Sequence, residues 1–147
     1  MKTYTRIEVA TKMKETGLVP LFYHEDVAIV KQVVKACYDG GARLFEFTAR
    51  GAFAHEVFSE LIKFCAKECP DLILGVGSVT DAAAASLYMQ MGAQFIVTPV
   101  LREDIALVCN RRKVLWSPGC ATLTEIAKAE ELDVVIFMHP NGFSEGR

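Results

Sequence analysis

Arg43-Leu44-Phe45-Glu46-Phe47-Thr48 is a run of strand-forming residues interrupted by one carboxylate. Side chains alternate along a strand, so Leu44, Glu46 and Thr48 share one face while Phe45 and Phe47 share the other. A carboxylate in mid-strand is expensive to bury unless it is hydrogen-bonded or put to use. The interior of a parallel barrel, open at its C-terminal mouth, supplies a place and a use for it. In an open sheet the same side chain would lie under a helix.

The segments on either side repeat one unit. An amphipathic helix over about Thr5 to Thr16 is stopped by Gly17, and the apolar run Leu18 to Tyr23 follows as a first strand. A helix from about Asp26, its cap, to Tyr38 leads into the quoted strand. Helix Ala54–Cys69, strand Leu72–Gly75, helix Asp81–Met91 and strand Phe95–Thr98 come next, then helix Glu103–Arg111, strand Val114–Trp116, helix Leu123–Glu130 and strand Val134–Met138. Two junctions, Gly41-Ala42-Arg43-Leu44-Phe45 and Gly92-Ala93-Gln94-Phe95-Ile96, echo each other as repeated βα units do.

Near-continuous apolar strands alternating with helices imply an α/β fold with a parallel sheet covered on both faces. A (β/α)8 TIM barrel and an open doubly wound parallel sheet both fit. Tyr23-His24-Glu25-Asp26 stands after the first strand in place of a glycine-rich nucleotide loop, which favours the barrel. At 147 residues the chain holds six βα units plus the N-terminal helix, a single partial domain over 1–147, against about 200 to 250 residues for a whole barrel.

Composition narrows the function. With 52% hydrophobic and 23% charged residues and a net charge of −2, the chain reads as globular, with no basic surface to hold nucleic acid or an anionic membrane. The N-terminal stretch Met1 to Glu8 has no apolar signal core, and the expectation is a cytoplasmic protein. The five cysteines read as reduced core thiols. Cys65 and Cys69 lie one helical turn apart without matching further ligands, so core packing is the reading for them.

Catalysis in parallel barrels occurs at the C-terminal strand ends, which here are polar or turn-like. Glu46 could act as general acid or base if burial raised its pKa, or could be a structural carboxylate paired with Arg50. The Arg50 fork suits a carboxylate or phosphate, and Ser78 offers a hydroxyl beside Gly75 and Gly77, glycines that a plain βα turn explains nearly as well. Ser117-Pro118-Gly119 reads first as a tight turn and second as a site-lining loop. A metal held by His24, His139 and Glu46 is a weaker reading than two ordinary loop histidines.

Val19-Pro20, Glu46-Phe47-Thr48-Ala49-Arg50, Gly75-Val76-Gly77-Ser78-Val79, Gly92-Ala93-Gln94-Phe95 through Thr98-Pro99, and Pro118-Gly119-Cys120-Ala121-Thr122 occur in order. Together, from about Thr16 to Glu131, they resemble the class I 2-keto-3-deoxy-6-phosphogluconate/4-hydroxy-2-oxoglutarate aldolases, lyases that release pyruvate and an aldehyde. The resemblance implies Glu46 as the proton shuttle, Arg50 and Ser78 as ligands of the pyruvate carboxylate, and Pro99 as a pocket wall. It also implies a 2-keto acid substrate, no cofactor and a homotrimer.

In that family a lysine in strand six attacks the keto group. The corresponding stretch here is Val134-Val135-Ile136-Phe137-Met138-His139-Pro140, which puts Ile136 or Phe137 at the lysine position, and neither forms an imine. Residues 132–147 therefore read as an atypical ending, altered after Glu131 and without strand or helix pattern beyond Pro140. The expectation is weak or absent aldol cleavage, with a non-catalytic pyruvate-binding or assembly protein on the same scaffold as the alternative.

Overall fold

The computed structural model describes residues 2–134, 136–139 and 142–145, the last seven of these as backbone only for 137–139 and 142–145. Helix α1 (Arg6–Thr16) opens on a capping box, in which Thr5 and Glu8 satisfy each other's backbone amides. It closes on Gly17, whose left-handed backbone (φ 62°) lets its amide donate to the Met13 carbonyl.

Five parallel strands follow, β1 (Leu21–Phe22), β2 (Leu44–Thr48), β3 (Ile73–Gly77), β4 (Phe95–Thr98) and β5 (Leu115–Pro118). The connecting helices are α2 (Val27–Asp39), α3 (Ala54–Glu68), α4 (Ala82–Met91) and α5 (Glu103–Arg112), and α6 (Leu123–Glu131) follows β5. Asp26, Asp81 and Thr122 cap α2, α4 and α6 through side-chain oxygens that accept amides of the first turn. No described helix is long and apolar enough to cross a membrane.

The order in the sheet is β1-β2-β3-β4-β5. Every crossover steps to the next strand in the same direction, as in a barrel, whereas a doubly wound sheet reverses its strand order. The open doubly wound alternative is thereby set aside. The arc is not closed.

Period two divides the sheet's side chains into two cores. Phe45, Phe47, Leu74, Val76, Ile96 and Trp116 face the helices and pack with Val30, Val34, Phe58, Leu61, Ile105 and Ala129. Leu44, Ile73, Phe95, Val97 and Leu115 face inward with Ile136, and Val9 and Met13 of α1 pack onto them. Cys65, Cys69 and Cys109 are fully buried among apolar side chains, and burial pushes the Cys65 and Cys109 thiols up to about 12.

Three boundaries differ from expectation. The first strand contributes only Leu21 and Phe22 to the ladder, because Pro20 has no N–H and takes part only through its carbonyl, which accepts the Glu46 amide at 2.8 Å. β3 runs on to Gly77, so Gly75 and Gly77 are strand residues and not a turn. The expected sixth parallel strand is β6 (Ile136–His139), which pairs antiparallel with β7 (Gly142–Glu145) instead of joining the five-stranded ladder. β7 is the next strand in sequence and antiparallel neighbours need no crossover, so β7 supplies the backbone partners of β6 even though α6 provides a crossover for parallel pairing with β5.

Candidate functional site

Register fixes the levels of the inner face. Glu46 is level with Gly75, and Thr48 with Gly77. Val76 pairs with Ile96 and Val97 with Ser117, so Thr48, Gly77, Val97 and Ser117 form the row nearest the C-terminal mouth. The row below holds Glu46, Gly75, Phe95 and Leu115.

The two glycines are sockets. A Cβ on Gly75 would overlap the Phe95 ring, and one on Gly77 would overlap the Glu46 carboxylate. Glu46 therefore reaches up from its own row to lie over the bare Cα of Gly77, beside Thr48. It is only 4% exposed. Burial pushes its carboxyl up to about 7, with the Arg50 guanidinium pulling the other way. A group that changes charge near neutrality can both give and take a proton at physiological pH.

Arg50 follows β2 at the rim, where its Nε donates to Ser78 Oγ at 3.4 Å. Ser78 sits just past β3 with a left-handed backbone (φ 60°), a conformation that costs a non-glycine residue roughly 1–2 kcal/mol. The two side chains thus present a guanidinium and a hydroxyl together above Glu46. Pro99 is exposed at the end of β4, and its carbonyl lies against Gly119, whose amide donates to Thr98 O at 2.8 Å. The expected Glu46, Arg50, Ser78 and Pro99 all fall on the C-terminal end of the sheet, with Arg50 and Ser78 in contact.

Two polar side chains of this face were not named as site residues, and Ser117, read from the sequence as part of a tight turn, is a residue of β5. Thr48 Oγ1 and Ser117 Oγ are buried with no hydrogen-bond partner among the described residues. Thr98, on the helix side, is the contrast, since its hydroxyl donates to Val100 O and accepts from Trp116 Nε1. An unpaired buried hydroxyl costs about 1–3 kcal/mol. The signal was present, because the period that puts Glu46 inward also puts Thr48 inward, and Leu115 likewise carries Ser117.

Ile136 is 7% exposed and belongs to the inner cluster with Leu115 and Phe95. It offers that cluster an aliphatic side chain and no amine. The side chains of Phe137 and His139 lie outside the described residues. His24, the other histidine considered for a metal, accepts the Asp26 amide through Nδ1 at 2.9 Å and so shapes the entry to α2. All nine lysines are described, and none lies on a strand. They sit in the N-terminal segment, on α1, α2, α3 and α6, or, for Lys113, at the C-cap of α5 at the opposite end of β5. Among the described residues, no group of three His, Cys, Asp or Glu side chains is placed to hold a metal.

The chain is similar to 2-dehydro-3-deoxy-phosphogluconate aldolases from Pseudoalteromonas atlantica, at 32% identity over 76% of this chain and 50% of that protein, and from Treponema pallidum, at 28% over 88% and 60%. It thus spans about half to three fifths of the length of these relatives. Its fold matches the crystal structure of 2-keto-3-deoxy-6-phospho-gluconate aldolase from Zymomonas mobilis with a TM-score of 0.73 at 26% identity, over 83% of this chain and 57% of that one. The family model for KDPG and KHG aldolase matches residues 9–146, running past Glu131 through the β6–β7 pair. On that match, with the singly wound sheet and its polar C-terminal mouth, the chain belongs to the KDPG and KHG aldolase family.

Proposed function

We propose that this chain carries the keto-acid-binding and proton-transfer half of a class I aldolase site, and that it binds pyruvate-type 2-keto acids without forming the Schiff base needed to cleave a carbon–carbon bond. One observation carries the reading. Glu46 is buried over Gly77 with its carboxyl near neutrality, directly below the Arg50–Ser78 pair.

A keto-acid carboxylate meets a charged fork and a hydroxyl at the rim, which leaves its keto carbon over the proton-transferring group. In an intact class I site an amine attacks that carbon, and a proton is moved onto and off the oxygen as water leaves. Glu46 is suited to that transfer. Ile136 in the inner cluster cannot provide the amine, and no lysine stands on a strand to replace it.

Borohydride treatment with pyruvate followed by mass spectrometry tests the covalent half of the proposal. We expect no adduct, and a stable pyruvyl-lysine on any residue overturns it. Calorimetric titration with pyruvate tests the binding half, where saturable binding is expected and its absence overturns the keto-acid reading. A homotrimer is part of the same proposal. Light scattering should give three times the chain mass, and a concentration-independent monomer removes it.

A further inference from the structure

On the same inner face as Glu46, two buried hydroxyls lack a hydrogen-bond partner among the described residues. Thr48 is 2% exposed and Ser117 is fully buried, yet neither hydroxyl oxygen has a partner among the described residues. They stand in one row, Thr48 level with Gly77 and Ser117 level with Val97. Because the Glu46 carboxylate fills the space over Gly77, both hydroxyls belong to the level at which that carboxylate acts. The rows below, nearer α1, are apolar apart from the root of Glu46.

Thr and Ser keep a hydroxyl in a buried position at a cost unless something pairs with it. Thr48 could hold the same place as Val with nearly the same volume, and Ser117 as Ala. Packing alone therefore explains neither residue.

We propose that Thr48 Oγ1 and Ser117 Oγ are ligand contacts, hydroxyls that pair with the polar atoms of a 2-keto acid, or with the water that accompanies it, when one is bound against Glu46. The proposal rests on the keto-acid reading of the Arg50–Ser78–Glu46 site and adds two residues to it. Hydroxyls suit this place because each can donate or accept, following the change as a keto oxygen becomes a hydroxyl. A charged side chain at either position would compete with Glu46 for the proton.

The test is calorimetric titration of the full chain with pyruvate, in the wild type and in T48V, T48S, S117A and the T48V/S117A double variant, alongside thermal unfolding of each without ligand. We expect T48V and S117A each to weaken pyruvate binding about tenfold, the loss of one hydrogen bond. T48S, which keeps the hydroxyl, should stay within about twofold of the wild type. Without ligand, T48V and S117A should unfold at or above the wild-type temperature, because each removes an unpaired buried group.

Unchanged pyruvate binding in T48V and S117A, with a wild type that binds, overturns this inference and leaves the keto-acid reading standing. A fall in melting temperature in both variants with binding unchanged overturns it as well, by showing that the hydroxyls serve packing. A wild type that does not bind pyruvate overturns the reading itself, and the inference with it. If T48V fails to fold, S117A decides on the same criteria.

Discussion

The two faces of the sheet are built from the same strands and do different work. On the helix side, Phe45, Phe47, Leu74, Val76 and Ile96 are buried in one apolar cluster, and the only strand hydroxyl placed there with described bonds, Thr98, is satisfied. On the inner side, apolar residues give way towards the C-terminal mouth to a carboxyl pushed up to about 7 by burial and two hydroxyls without a partner among the described residues. The first face is apolar, and the second carries buried polar groups that cost stability. Alternation along each strand makes this division sharp, because moving one residue crosses from one regime to the other.

The largest test of the comparison strikes the helix side. Phe58 is fully buried there, with its ring against those of Phe47 and Tyr88 at centroid distances of 5.7 and 5.4 Å. Phe58→Ala should cost about 3–5 kcal/mol in denaturant unfolding, and a loss under about 1 kcal/mol would show that this face does not carry the fold.

On the inner face, loss of a polar group should have the opposite sign. Glu46 has its carboxyl raised from 4.5 to about 7, so between those values the folded chain holds a proton that the unfolded chain has released. Stability must then fall as pH rises from about 4.5 to 7, by about 3 kcal/mol in all. Glu46→Gln removes that slope, so it should match the wild type near pH 4.5 and exceed its stability by about 3 kcal/mol at pH 8. Parallel pH profiles of unfolding for the two proteins would sink the assignment of a neutral-range carboxyl.

Gly77→Ala comes next. The added methyl overlaps the Glu46 carboxylate, so we expect a loss of about 1–3 kcal/mol and weaker pyruvate binding, with both partly restored by the shorter acid in Gly77→Ala/Glu46→Asp. An unaltered single variant would show that the socket is not needed. The smallest effect lies off both faces, at the N-cap of α6. Thr122→Ala breaks a capping box and should cost about 1 kcal/mol in unfolding without touching pyruvate affinity, which separates local helix ends from either face.

Local chemistry was readable where one residue settles one structural question. Asp26, Asp81 and Thr122 are side-chain acceptors placed before apolar periodic runs, and each caps a helix. The inward direction of Glu46 followed from period two and from the cost of burying a carboxylate. What escaped the sequence depends on partners across the sheet. Gly75 and Gly77 have the composition of a turn, and only the register that sets them beside Phe95 and Glu46 shows them to be strand residues with space to lend. Thr48 and Ser117 were inside motifs already quoted, yet a hydroxyl shows itself as orphaned only when its whole surroundings are known. The β6–β7 pair was missed because its strands are short and the pattern of the preceding units favoured another parallel crossover.

The socket at Gly77 also constrains how this site can change over generations. A methyl at position 77 takes the space in which the Glu46 carboxylate now lies, so a change at one position moves the other's side chain. With alanine at 77, a glutamate at 46 must take another rotamer, while a shorter acid leaves room for the methyl but reaches less far over β3. Among descendants of one scaffold, these two positions, 31 residues apart in the chain and on adjacent strands, should therefore change together or stay as they are.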